Sequence, residues 1–233
     1  MRRRQGFTVR PLTPQASYAI SMGDLVHSTA HEDPNRLHRL FNRCVADANR
    51  RFAGSIASPL TITLGDEFQG LSTSLRRGFE LNHFVRLSLL QEGVSTRLVL
   101  GLGAIETAVN PQNAWNMMGA GLSRARDKLN DKASVNCYRF SFAGETRLER
   151  LLDSVGASMT KVESDWTTTQ LDYVSRKLAE PGKSTGLIAE DLGIARNTMY
   201  KVLRSADWDF YHGQFTTIIE VLEEEDHRLA EQC

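Results

Sequence analysis

The sequence predicts an α+β fold in which a sheet-containing domain precedes a small all-α domain. Three observations lead to this. First, short apolar runs of strand character alternate with two long segments of helical periodicity. Second, the order of these elements is strand, helix, strand, strand, helix, strand. Third, from Trp166 onward the sequence patterns are helical. That order is the split βαβ arrangement of ferredoxin-like folds. We therefore expect a basic flexible arm over residues 1–16, an α+β domain over 17–160 and a helical domain over 161–233.

The first half of the α+β domain contains three strands and one helix. A buried strand is predicted over 17–21, and residues 34–52 carry apolar side chains at helical spacing beside an Arg-rich face. Pro59 opens a second strand over 60–64, and a tight turn joins it to a third over 67–71. These elements supply the first βαββ of the fold.

The second half continues with alternating helices and strands. Periodicity predicts a helix over 74–91 and a strand over 96–102, which complete the split βαβ unit. Further on, a helix is expected over 114–130, a strand over 135–142, a helix over 145–152, and a linker or frayed helix end over 154–164.

The helical domain contains the spacing of a helix-turn-helix. Residues 167–179 form one helix, and a short helix with Ala189 and Leu192, a turn at Gly193 and a helix from near Ala195 follow. An amphipathic helix over 215–229 closes the chain, and its acidic run 223–226 is interpreted as a solvated face. The second helix of the motif would present a polar and basic face to DNA, formed by Arg196, Asn197, Tyr200, Lys201 and Arg204. The alternative is that the motif only packs or dimerises.

Two strands end in the same pair of residues, Gly23-Asp24 and Gly65-Asp66. In the split βαβ order the first two strands run parallel, so the end of the first strand and the following hairpin lie at one edge of the sheet. Two converging carboxylates can hold Mg²⁺ or Mn²⁺, and Glu67 is a candidate third ligand. For either aspartate alone, a turn or cap role is the simpler interpretation.

A nucleotide is the ligand that suits such a metal site. Glycine before each aspartate lets a phosphate approach the backbone, and the amides at the turns can add contacts, which makes Gly23, Leu25 and Gly65 candidate nucleotide-binding residues.

The composition places limits on partners and compartment. Lys and Arg together number 28, as do Asp and Glu, so the net charge gives no overall nucleic-acid signature and any basic patch must be local. No apolar run is long enough to span a bilayer, and the N-terminus lacks a secretory pattern. The three scattered cysteines fit reduced thiols, so a cytoplasmic protein without membrane association is expected.

Residues 23–26, 28–29, 64–68 and 97–103 form a series of landmarks along the chain. They resemble those of class III nucleotide cyclases and GGDEF diguanylate cyclases, in which the matching aspartates bind two metal ions. With residues 120–126 and the terminal helix-turn-helix, the chain resembles the SatD family over nearly its whole length. The resemblance implies a cyclase-like domain, and Ser123, Arg124 and Arg126 are then candidate nucleotide contacts.

The chain also departs from the cyclase pattern. Ser123 stands in place of an asparagine that orients the ribose, and Asp127 stands where a transition-state arginine would fall. A base-reading lysine is absent from 61–64, and Leu64-Gly65 replaces the Gly-Gly of GGDEF enzymes. These departures argue against cyclisation, and no catalytic residue is assigned.

The sequence leaves three functions open. The first is a DNA-binding regulator, acting as a homodimer, whose cyclase-like domain binds a divalent metal ion and a nucleotide. The second is an enzyme that carries out two-metal nucleotidyl transfer or cyclisation on a nucleoside triphosphate. The third is a non-catalytic dimeric scaffold.

Overall fold

The computed structural model describes residues 17–28, 32–143 and 146–231. The expected arm over 1–16 lies outside these ranges. The strands are β1 Ser17–Leu25, β2 Ile56–Ile62, β3 Glu67–Ser72, β4 Thr96–Ala104 and β5 Tyr138–Phe142. The α-helices are α1 Pro34–Arg51, α2 Leu75–Gln91, α3 Ala120–Asn130, α4 Thr146–Ser164, α5 Thr168–Ala179, α6 Thr185–Asp191, α7 Arg196–Ser205 and α8 Trp208–Glu231.

The sheet confirms the expected α+β, ferredoxin-like class. Its strand order is β2-β3-β1-β4-β5. β1 pairs antiparallel with β3 and β4, β2 pairs antiparallel with β3, and β5 is parallel to β4. β1 and β2 therefore run parallel, and the β2–β3 hairpin lies beside the end of β1.

Helices cover both faces of the sheet. α1 and α2 pack on one face through the main core, in which Phe41, Phe68 and Phe79 are fully buried. α3 covers the other face, where Ile20, Met22 and Val99 pack against its Leu122 and Ala125. The α3 face is the side on which polar residues gather at the end of β1.

β2 departs from its expected range because it begins at Ile56 and contains Pro59. Its pairing with β3 is irregular between Ser58 and Thr61. Proline cannot donate to a ladder and is tolerated on edge strands and at bulges, and β2 is an edge strand.

The prediction of helix over residues 114–119 is wrong, since α3 begins at Ala120. The Ala114 amide donates to Thr61 Oγ1 at 2.8 Å, and its carbonyl accepts from the Gln69 side chain. Asn116 adopts a positive φ of 55°. Contacts with the β2–β3 hairpin therefore override a local pattern that suited a helix.

The interpretation of residues 154–164 as a linker or frayed end is also wrong, because α4 continues to Ser164. The small residues in this stretch allow close packing, since a Cβ on Gly156 would lie 2.5 Å from the Tyr138 carbonyl oxygen. The expected boundary after residue 160 falls inside α4.

The acidic run near the end of α8 is not simply a solvated face. Asp226 accepts hydrogen bonds from the amides of Leu75, at 2.7 Å, and Arg76, at 3.0 Å, at the start of α2. Glu223 pairs with the Arg76 guanidinium. Burial raises the pKa of the Asp226 carboxyl above its ordinary value, although the amide hydrogen bonds act in the opposite direction. α8 thus caps α2 with a carboxylate, the charge that suits a helix N-terminus.

α8 returns to the α+β domain and packs on α2 and α4. At this junction a buried polar cluster, the junction network, contains His83, Arg86, Tyr138, Glu163 and Tyr211. Within the described ranges, no helix combines the length and apolar character needed to cross a bilayer.

Candidate functional site

The structure places Asp24 and Asp66 at the same end of the sheet. The Leu25 amide donates to the Asp66 carbonyl oxygen at 3.0 Å. In the β1–β3 pairing Asp24 lies directly opposite Glu67. We call Asp24, Asp66 and Glu67 the carboxylate edge.

Asp24 is a buried carboxylate held by cations, with 5% of its surface exposed. The Lys132 ammonium donates to Oδ2, and the Arg97 Nε lies 3.7 Å from Oδ1. Among the described residues, Oδ1 has no hydrogen-bond partner. A buried carboxylate with a free oxygen can accept another donor or a metal ion.

The other two carboxylates each have a single main partner. Ser28 Oγ donates to Asp66 Oδ2 at 2.6 Å. Arg126 Nη1 donates to Glu67 Oε2 at 3.2 Å, and its Nη2 donates to Gln69 Oε1 at 2.8 Å. One guanidinium on α3 therefore orients two side chains of β3.

The loop that carries Lys132 is organised by Arg139, which is buried on β5. Its guanidinium donates to the carbonyl oxygens of Lys128 and Asp131, each at 2.7 Å, and of Ser134 at 3.1 Å. Burial lowers the pKa of Arg139 from its ordinary value, and these carbonyl groups take the place of water around its charge. This arrangement fixes the backbone on both sides of Lys132.

The donor chemistry of the edge fits a hard divalent cation. Carboxylate and hydroxyl oxygens are the ligands that Mg²⁺ and Mn²⁺ prefer, and Asp24 Oδ1 is buried and accepts no hydrogen bond from the described residues. In the part of the chain that the structure describes, no group of three or more His, Cys, Asp or Glu side chains is arranged to hold a metal ion. Asp24, Asp66 and Glu67 therefore do not form one cluster, and a metal ion bound by Asp24 and Asp66 would complete its shell with water or phosphate oxygens.

The candidate phosphate contacts near the aspartates differ in their availability. A Cβ on Gly23 would lie 2.6 Å from the Phe68 ring, so packing explains this glycine without a ligand. The Leu25 side chain is buried in the main core and its amide already donates to Asp66. Gly65, with a φ of +80° and open space around it, remains accessible to a phosphate.

The candidate residues on α3 separate into two groups. Arg126 lies at the carboxylate edge, but Arg124 donates to the Leu102 carbonyl oxygen at 3.3 Å. Gly103, the residue after Leu102, pairs with Tyr18, which lies six positions before Asp24 on β1, about 20 Å at the rise of a strand. Ser123 is exposed on the same first turns of α3. The expected grouping of Ser123 and Arg124 with the aspartates is therefore not found.

Arg97, Lys132 and Arg139 were not identified from the sequence. The alternation of side chains along β4 could have pointed to Arg97, because the pairing of β4 with β1 places Arg97 directly opposite Asp24. Lys132 lies 108 residues from Asp24, and no local sequence pattern predicts that they pair.

A second surface of interest is the outer face of α7. Met199 and Leu203 are buried, whereas the five expected DNA-contacting residues, Arg196, Asn197, Tyr200, Lys201 and Arg204, are all exposed. α6 and α7 are joined through Leu192, Gly193 and Ile194, and the Ile194 amide donates to the Ala189 carbonyl oxygen at 3.0 Å. Among the described residues, no carboxylate forms an ion pair with Arg196, Lys201 or Arg204.

Comparisons with known proteins give one family and a distant structural likeness. The family model described as the SatD family matches residues 18–222. Two solved structures, both described as a bacterial light-regulated adenylyl cyclase, are similar in fold, with 13% and 14% identity and TM-scores of 0.38 and 0.39. Each likeness covers 56% of this chain and 44% of the cyclase chain. A comparison with curated proteins finds no match.

Proposed function

The chain belongs to the SatD family, and from this premise we propose that it is a DNA-binding regulatory protein whose cyclase-like domain binds a divalent metal ion together with a nucleotide. The observation that carries the proposal is the buried Asp24 carboxylate, whose Oδ1 accepts no hydrogen bond from the described residues and which lies beside Asp66 at the end of the sheet. An ion bound there would neutralise phosphate charge.

The charges at the edge favour joint binding of metal and nucleotide. Asp24, Asp66 and Glu67 contribute three negative charges, and Arg97, Lys132 and Arg126 contribute three positive ones, so the local sum is zero. A divalent cation alone would add two uncompensated charges beside these cations. A nucleotide phosphate chain restores the balance and gives Lys132 a new anionic partner when the metal takes Asp24.

The alternatives have weaker support. In the cyclases that the chain resembles, groups on α3 complete the reaction centre, whereas here Ser123 and Arg124 lie toward the opposite end of the sheet from Asp24. Arg126 does lie at the carboxylate edge, but it already donates to Glu67 and Gln69. A scaffold without ligand gives no reason for a buried, partly unsatisfied carboxylate that requires two cations. The regulatory function therefore accounts for more of the structure.

Joint binding of a metal ion and a nucleotide predicts that thermal stability rises when both ligands are present. With Mn²⁺ and a nucleoside triphosphate at about 100 times their Kd, the free energy of unfolding should rise by about 2.7 kcal/mol, which raises the Tm of a protein of this size by about 5–10 °C. Asp24→Asn and Asp66→Asn should each remove most of this rise, because they remove metal-binding charge. Differential scanning fluorimetry, with each variant compared with its own ligand-free Tm, measures the effect.

Asp47→Asn is a matched control, since Asp47 is a surface aspartate on α1 that pairs with Arg50. It should keep the full rise. If no triphosphate stabilises the wild type with either Mg²⁺ or Mn²⁺, the ligand proposal fails. A cyclic or transferred product formed by the wild type and lost in Asp66→Asn would instead establish the enzymatic alternative.

The DNA-binding proposal is supported by the exposed face of α7. The Ala195 N-cap leaves the first amides of α7 without a side-chain acceptor, and such amides suit phosphate. Arg196 and Asn197 follow at the start of the helix, where side chains of a recognition helix meet base edges. Since one such helix gives a small interface, we propose a homodimer that binds two half-sites.

Loss of Arg196 should weaken DNA binding. Arg196→Ala is expected to reduce the affinity for selected genomic fragments by about 1–3 kcal/mol, or about 5–150-fold. Arg150→Ala, which removes the same charge from the exposed surface of α4, should have little effect. Fluorescence anisotropy at fixed salt measures both, and equal affinities for the two variants would contradict a recognition role for α7.

A further inference from the structure

A cleft of about 950 Å³ lies between the α+β domain and the helical domain. The end of α1 and the outer side of α2 form one wall, and α5 and α8 form the other. Its volume is at the upper end of the usual range for small-molecule sites, about 300–1,000 Å³. The three residues of the carboxylate edge do not line it.

Aromatic rings form part of the cleft surface. Phe52, Phe84 and Phe215 line it and are only partly buried. Phe52 and Phe84 meet edge to face with ring centroids 5.9 Å apart, and Phe215 lies 4.6 Å from the His83 ring. Burial, with the charge of Arg86, lowers the pKa of His83 to about 3, so this ring is neutral at physiological pH. The rings offer an apolar surface for a planar group.

The charged part of the lining is mainly cationic. It contains five basic residues, Arg51, Arg76, Arg77, Arg176 and Lys177, and two acidic ones, Glu80 and Asp172. Arg76 and Arg77 both pair with Glu80, Arg76 also pairs with Glu223, and Arg176 lies 4.0 Å from Glu180. Arg51 has no carboxylate partner among the described residues, and its guanidinium lies 5.2 Å from the centroid of the Phe84 ring. An anion beside Arg51 would therefore compensate a guanidinium that no described carboxylate neutralises, and it would lie next to an aromatic surface.

Ser175 lines the cleft from α5, and its Oγ has no hydrogen-bond partner among the described residues. The oxygen is shielded from solvent, so a ligand in the cleft can reach it only after the Ser175 side chain rotates. A shielded hydroxyl without a partner is unfavourable, and rotation onto a polar ligand group would satisfy it.

We propose that this cleft binds a small molecule that combines a planar aromatic ring with an anionic group, with the ring against Phe84 and Phe215 and the anion beside Arg51. The anion is a phosphate or a carboxylate, since a guanidinium can donate two parallel hydrogen bonds to the oxygens of either. The site is separate from the carboxylate edge and lies where the two domains meet.

Titration of the full chain with anilinonaphthalene sulfonate tests the proposal, because this fluorescent dye carries two aromatic systems and one anionic group. One dye per chain should bind, and phenylnaphthylamine, which lacks the sulfonate, should bind more weakly. Arg51→Ala should weaken dye binding about tenfold, the typical effect of losing one charge-assisted contact. Arg50→Ala is the matched control, since Arg50 is the neighbouring exposed arginine and pairs with Asp47 outside the cleft.

Competition identifies the anion. Displacement of the dye by adenosine monophosphate assigns an aromatic phosphate, and displacement by naphthoate assigns an aromatic carboxylate. Asp24→Asn should bind the dye as the wild type does, which keeps this result independent of the metal–nucleotide proposal. Equal dye binding by Arg51→Ala and Arg50→Ala, loss of binding in Asp24→Asn, or displacement by neither competitor would overturn the inference.

Discussion

Replacement of Glu163 by glutamine is expected to lower the free energy of unfolding by about 3–5 kcal/mol, the range found when one partner of a buried ion pair is removed. The Glu163 carboxylate accepts from Tyr138 Oη at 2.5 Å, from Tyr211 Oη at 2.6 Å and from the Arg86 guanidinium. The side chains of Arg86 and Glu163 are 3% and 0% exposed, so water cannot replace the lost charge. The amide would leave the Arg86 charge buried without a counter-ion.

The titration behaviour of the junction network reflects the same interactions. Burial alone would lower the pKa of Arg86, but the adjacent Glu163 raises it above its ordinary value. Burial, followed by the charge of Glu163, raises the pKa of both Tyr138 and Tyr211 well above the usual range, so both phenols remain protonated donors. In this network the Glu163 carboxylate therefore accepts hydrogen bonds from three donors, the Arg86 guanidinium and the two phenols.

Urea unfolding followed by circular dichroism measures the effect of Glu163→Gln. Asp165→Asn is the control, because Asp165 is an exposed carboxylate two residues away that pairs with Lys161, and its loss should change stability by less than about 0.5 kcal/mol. If Glu163→Gln does not fold, Tyr211→Phe tests the same network with an expected loss of about 1–3 kcal/mol. Similar stabilities for the Glu163 and Asp165 variants would show that the network does not hold the two domains together.

Much of the fold could be predicted because its signals are local. Apolar residues one helical turn apart predict the helix α1, and a short apolar run predicts the strand β1. The stretch from Ala114 to Gly119 could not be predicted in the same way. Its backbone groups bond to Thr61 and Gln69, about 50 residues earlier in the chain, and those bonds exclude a helix.

The candidate site likewise combines a feature that the sequence predicts with contacts that it does not. The position of Asp24 and Asp66 at one edge follows from strand order alone, because parallel β1 and β2 bring the following hairpin to the end of β1. The charges that hold Asp24 do not follow from strand order. Lys132 reaches it from a loop that is shaped by the carbonyl contacts of Arg139, and neither contact has a sequence pattern.

The close packing of α3 on the sheet predicts the second large loss of stability. Gly121→Val should lower the free energy of unfolding by about 3 kcal/mol, because overpacking at a tight contact typically costs about 1–3 kcal/mol and valine adds more than a single methyl group. A Cβ on Gly121 would lie 2.8 Å from the Gly103 Cα and 2.9 Å from Ile20 Cδ1. The backbone of β4 cannot move aside as a flexible side chain could, so α3 must lift from the sheet.

Gly213→Val separates this effect from the general consequence of valine in a helix. Gly213 lies in α8, a Cβ there would meet nothing within 4 Å, and valine is a slightly better helix former than glycine, so the change should be within about 0.5 kcal/mol. The displacement of α3 should also reach the carboxylate edge, since α3 carries Arg126 and leads into the loop that holds Lys132. At a temperature where Gly121→Val is still folded, it should therefore bind Mn²⁺ and triphosphate more weakly than Gly213→Val does. Equal binding by the two variants would mean that the position of α3 does not control the edge, and the role assigned to Arg126 and Lys132 would be wrong.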